Sequence, residues 1–110
     1  MKVFQHAEIK EAIEWARAGG VALHVWQPGG GWSGAPAIFQ HEAAAGRPWG
    51  HLYDTDPERL RRTARRLGVR RIVIHVSARI PVPHVDLCGR PLAKAIVMCR
   101  QIECGEEVVK

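Results

Sequence analysis

Cysteine is scarce in this chain and poorly spaced for metal or disulfide work. Cys88, Cys99 and Cys104 are odd in number and form no C-x-x-C pair, which argues against a disulfide framework and against a cysteine zinc site. Reduced thiols are the expectation. The opening "MKVFQHAEIKE" has no apolar run long enough for a signal peptide or a spanning helix, so a cytosolic protein without a membrane partner is expected. No G-x-x-x-x-G-K-[ST] stretch occurs, and with it goes the phosphate cradle of the P-loop enzymes. Nor is there length for two cores, because 110 residues fit a single domain.

What is present is ordinary for a globular chain: 46% hydrophobic and 25% charged residues indicate neither wholesale disorder nor a membrane class. The net charge of +5, from 16 Lys and Arg against 11 Asp and Glu, favours acidic partners. A nucleic acid, a nucleotide or another small anion, and an acidic protein all qualify.

The hydrophobic pattern alternates between helix and strand periods. "MKVF" reads as a first short strand. In "AEIKEAIEWARAGG", Ile9, Ala12, Ile13 and Ala16 share one helix face, closed by Gly19 and Gly20. "VALHVW" is a nearly unbroken apolar run, the pattern of a central strand covered on both faces. Residues 27–48 are rich in Gly, Ala and Pro and read as a loop or insertion. "WGHLY" is a short strand. The helix after it is punctuated by Thr55 with Glu58 as a capping box, or by Asp56 as cap with Pro57 first in the helix, and by Gly68 at its end. Leu60, Ala64 and Leu67 form its inward face. "RIVIHVS" reads as a second unbroken apolar strand, "ARIPVPHVDLCGR" as a proline-punctuated connection, and "PLAKAIVMCRQI" as a final helix with Leu92, Ala95, Ile96 and Cys99 inward. Residues 104–110 read as a frayed tail. "EWARAGGVALHVW" and "TARRLGVRRIVIHVS" echo one another as helix, glycine and apolar strand, with His24 and His75 at equivalent places. The fold expected is a single small α/β domain, with a parallel or mixed sheet of about three to four strands flanked by three helices.

Four residues stand out for chemistry: His51 and Asp54 in "HLYD", and His84 and Asp86 in "PHVD". Imidazole with carboxylate can bind a divalent metal, or act as general base with its orienting group. In a largely parallel sheet, ligand sites gather beyond the carboxyl ends of strands, where both pairs are expected to lie. The structural alternative is that Asp54 and Asp86 cap helices while His51 and His84 are polar loop residues. Arg47, Arg79 and Arg90 are the cations nearest these motifs in sequence and the expected phosphate contacts.

Other marks carry less. "GGGWSG" matches G-x-G-x-x-G after a strand, with Asp54 placed for a ribose contact, but Pro36 follows almost at once and the chain is too short for a full dinucleotide-binding sheet. A ligand-covering loop is the better reading. "RLRRTARRLGVRR" clusters arginines that can neutralise phosphates or meet an acidic protein, or else form a solvated outer helix face. His24 and His75 read first as satisfied core histidines, although a position facing the pocket would make them ligands or bases. Trp26, Trp32 and Trp49 surround the glycine-rich stretch and can stack a base, wall a partner groove or fill the core edge. Cys88 precedes the last helix, yet nothing makes it a nucleophile.

At "WGHLYDTDPERLRRTARRLGVRR" followed by "PHVDLCGRPLAKAI", the chain resembles a family of short bacterial and phage proteins catalogued as domain of unknown function 4031. That pattern is an H-L segment, then an acid-capped helix ending in a hydrophobic residue, Gly and basic residues, then P-H-x-D before an alanine-rich helix. His51, Leu52, Leu60, Leu67, Gly68, Pro83, His84, Asp86 and Leu87 match it, all in the C-terminal half. The family places an acid and then Thr where this chain has Thr55 and Asp56, so Asp54 is not a matched position. It also runs into a short aromatic segment where this chain has "IVIHVS". The resemblance marks both histidines as motif residues and implies no activity.

Two functions follow as expectations. One is a pocket built on His51, His84 and Asp86, with Asp54, binding an anionic ligand or nucleotide with or without a divalent metal. Hydrolysis or phosphodiester chemistry suits such groups, but no nucleophile or complete ligand set is readable, which leaves enzyme status open. The other is a phage-type interaction protein that blocks a host factor, such as a nucleic-acid-guided defence complex, through Arg62, Arg66, Trp32 and Trp49.

Overall fold

The computed structural model describes residues 1–26 and 45–103; Trp32, with most of the glycine-rich stretch, and the tail from Cys104 lie outside them. Four strands form one sheet in the order β1 (Lys2–Gln5), β2 (Ala22–Trp26), β3 (Trp49–Tyr53) and β4 (His84–Cys88). β1 and β2 are parallel, while β3 is antiparallel to both β2 and β4. With α1 (Ile9–Arg17), α2 (Pro57–Arg66) and α3 (Gly89–Glu103), the described residues form a mixed sheet with three α-helices, the α/β architecture that the alternating pattern predicts.

Side chains alternate between the faces of a strand, and here each face has its own core. Leu23, Val25, Leu52, Val85 and Leu87 meet Leu60, Ala64 and Leu67 of the α2 segment and Leu92, Ala95 and Cys99 of α3. On the opposite face Phe4, Ala22 and Tyr53 meet Ala12 and Ala16 of α1, with Ile80 and Val82 closing the cluster. The helix ends are punctuated as the sequence indicates. Gly19, at φ 102°, terminates α1 in the left-handed region. Asp56 caps α2 by accepting from the Glu58 and Arg59 amides, with Pro57 in the first turn.

Residues 72–76 depart from expectation. "RIVIHVS" is not a strand: only His75 pairs, through an isolated bridge to His84 in which each amide donates to the other's carbonyl at 2.9 Å. The segment lies outside β4 at the sheet edge, where Ile72 and Ile74 pack on the larger core while Val73 and Val76 are 45% and 65% exposed. The fourth strand is instead "HVDLC", inside the stretch read as a connection. The internal echo therefore fails structurally, because His24 is on central β2 and His75 is at an edge.

Candidate functional site

Register alone sets the core of the site. Phe4, His24, His51 and Asp86 are consecutive cross-strand neighbours in one row over β1 to β4, so all four project from the face that carries α1. Beside that row lie Tyr53 opposite His84 and Trp26 opposite Trp49. α1 covers the Phe4 and Ala22 end. The other end opens into a cavity of about 290 Å³ lined by Trp26, Trp49, His51, His84 and Asp86 from the sheet, His75, Ser77, Arg79 and Ile80 from the following segment, and Ile9 of α1.

Its centre is a carboxylate held by two imidazoles. His51 Nε2 lies 3.2 Å from Asp86 Oδ1, and His75 Nε2 lies 3.6 Å from Asp86 Oδ2. Burial alone would raise the Asp86 pKa. The His51 hydrogen bond and the surrounding imidazoles of His51, His75 and His84 outweigh it and hold the carboxyl below its ordinary value. Asp86 is thus an anionic acceptor in a partly dry site. His51 Nδ1 is buried, so Nε2, the atom turned to Asp86, carries its chemistry here. The 3.2 Å contact ties imidazole and carboxylate together across β3 and β4.

His84 donates from Nδ1 to the Val82 carbonyl at 2.9 Å, since a carbonyl can only accept. Burial lowers its pKa despite that bond, which leaves a neutral ring whose Nε2 can accept. The ring meets His51 edge-on, with centroids 5.3 Å apart. Trp26 and Trp49 stack on each other at 4.3 Å and 7°, and His51 sets its ring edgewise to both. This makes a stacked aromatic pair beside the cavity, with Trp26 the less buried member.

The neighbouring His24 serves the fold. Its Nε2 donates to the His6 carbonyl at 3.1 Å, so Nδ1 is the acceptor for the Tyr53 hydroxyl at 2.8 Å. Burial lowers its pKa to about 4 and pushes the Tyr53 hydroxyl well above its usual value.

Of the residues expected from sequence, His51, His84, Asp86 and Arg79 come together in the cavity. Both histidines are strand residues and buried, and Asp86 is the third residue of β4 rather than a cap. Asp54 is the correction. It is fully buried, and Arg59 donates from Nε to its Oδ2 at 2.6 Å and from Nη2 to its Oδ1 at 2.7 Å. The Asp56 amide also donates to Oδ1, and Arg59 Nη2 reaches the Gly19 carbonyl at 2.9 Å. Asp54 therefore pins α2 to the end of α1. Arg47 and Arg90 are exposed and do not line the cavity. Trp49, expected at an exposed interface, is 3% exposed because its place in β3 stacks it on Trp26. Among the described residues no group of three or more His, Cys, Asp or Glu side chains is arranged to hold a metal ion.

Sequence reasoning missed Ser77, Ile9 and Ile80 as site residues, while His75, read first as a core histidine with a pocket position as the alternative, lines the cavity. Comparisons with protein-family models, with curated proteins and with solved structures gave no match, so the site is read from its own geometry.

Proposed function

We propose that this cavity binds a nucleotide or a closely similar anionic ligand. The observation that carries the proposal is the convergence on one cavity of an acceptor carboxylate clamped by imidazoles, a stacked tryptophan pair and the Arg79 guanidinium. Each part suits one portion of such a ligand. Trp26, the less buried ring of the stacked pair, brings an aromatic side chain to the cavity for a base. Asp86, held ionised, accepts from a ring or amino N–H as a carboxylate does from a base edge. Arg79 meets the phosphate, where its planar fork gives paired charge-assisted bonds.

The test is thermal melting against a panel of nucleotides, because a ligand that binds only the folded state raises its stability by about 2.7 kcal/mol at a hundred times Kd. A shift that disappears in the His84→Ala and Arg79→Ala proteins is expected. No shift across the panel would sink the proposal.

Two further readings belong with it. We further propose remote membership of that bacterial and phage family, on its H-L motif at His51 and its P-H-x-D motif at His84 and Asp86 in the sequence. Cys88 and Cys99 stand as thiols, and no helix among the described residues is long and apolar enough to cross a membrane. Both fit a cytosolic setting.

A further inference from the structure

Exposed arginines lie beyond the cavity, on α2 and in the segment that follows it. Between Arg59 and Arg100 the sequence contains one acidic residue, Asp86. Leu60, Ala64 and Leu67 face the core, Arg59 is engaged with Asp54 and Arg61 with Glu58. That leaves Arg62, Arg65 and Arg66 exposed around one open concavity, with no acidic partner among the described residues. Arg70 and Arg71 follow, also exposed. Arg71 lines a second cavity with Val73, Val85, His75 and Asp86, and the last two residues also line the nucleotide cavity. His75 and Asp86 are thus a shared wall, with a guanidinium on each side of it, Arg79 in one cavity and Arg71 in the other.

A mononucleotide would use Arg79 and leave Arg71 and the α2 concavity unsatisfied. We infer that the nucleotide in the cavity is one unit of a single-stranded nucleic acid whose phosphates run past His75 and Arg71 to the Arg62, Arg65 and Arg66 surface. This rests on the nucleotide reading of the cavity. A single strand fits where a duplex does not, because a base reaches a recessed aromatic ring only when it is out of its stack. An acidic protein would satisfy the arginines but has no use for the stacked tryptophans.

The experiment is fluorescence anisotropy of a labelled single-stranded 12-mer over a salt series, beside the nucleotide melts, for the wild type and two variants. One carries Arg62→Ala with Arg65→Ala and Arg66→Ala, the other Arg71→Ala. The wild type is expected to bind the 12-mer at least ten-fold more tightly than a mononucleotide. The triple variant is expected to lose that advantage, with its salt slope reduced by about two from the loss of three phosphate contacts, while its nucleotide melt shift stays intact. A 12-mer no tighter than the mononucleotide, or an unchanged slope in the triple variant, overturns the path while the cavity reading stands. Absence of any nucleotide shift in the wild type removes the cavity reading and this inference together. Polyglutamate competing as well as an unlabelled 12-mer would point to an acidic protein and overturn it too.

Discussion

His51 and Asp86 face each other across β3 and β4, and the 3.2 Å contact from Nε2 to Oδ1 makes the imidazole the carboxylate's support. Removing the ring in His51→Ala leaves burial to act on Asp86 with less opposition. The Asp86 pKa, held low in the wild type, should then rise. Carbon-detected NMR titration of the Asp86 carboxyl reads this directly, and an unmoved titration would show that the contact has no electrostatic role.

Arg79 is the cavity's cation. A charge-assisted bond to phosphate contributes about 1.5–3 kcal/mol, so Arg79→Ala should weaken nucleotide binding by about 10- to 100-fold without lowering the melting temperature of the protein alone. Titration calorimetry checks the first part and a melt the second. Equal affinity would move the phosphate elsewhere.

Stability should depend on pH through His24. Its folded pKa is about 4 against an ordinary 6.5, so below 6.5 the unfolded chain takes up a proton that the folded protein refuses. The contribution is complete above about pH 6.5 and is lost as pH falls toward 4, where it reaches roughly 3 kcal/mol. His84, lowered in the same sense, adds to the loss. Urea melts between pH 7 and 4 should show this slope, and His24→Gln should flatten it. A slope unchanged in that variant assigns the effect to other groups.

Arg59→Ala should destabilise the fold by about 2–4 kcal/mol, because it strands the fully buried Asp54 carboxylate. The lower part of that range is favoured by the partial exposure of the Arg59 side chain, which solvent already screens. Nucleotide affinity of the remaining folded protein should not change. An affinity loss would bring Asp54 back into the site.

Gly50→Ala should cost about 1–3 kcal/mol or more, as expected of overpacking. A Cβ there would come to 2.3 Å from the His24 carbonyl oxygen, forcing β2 from β3 between the two histidines of the row. A melt and a nucleotide titration should both suffer. A protein as stable as wild type would show that the strands can part freely at this point.

Much of the fold was legible because it depends on local periodicity. α1, β2 and α2 follow from apolar spacing and from caps such as Asp56 and Gly19. The site was half legible: His51, His84, Asp86 and Arg79 stood out as chemical groups, but their meeting depends on strand register, which short motifs do not encode. Two errors share one cause. "RIVIHVS" has the composition of a strand, yet a strand needs a neighbour, and at the edge of β4 His75 alone finds one. Asp54 resembled a ligand because its partner Arg59 lies a helical turn away, and only the folded turn brings that guanidinium to it.

Division of labour between the two faces of each strand has a consequence for how this protein can change. In β3 and β4, Leu52, Val85 and Leu87 hold the larger core while His51, His84 and Asp86 point the other way. α1 has nine residues, about 13 Å of helix, and roofs over only part of the second face. Residues at the open end can therefore be exchanged without disturbing the leucine layer beneath. Such a sheet keeps the residues that line the cavity apart from those that build the leucine core, so a change in one set leaves the other's packing partners in place.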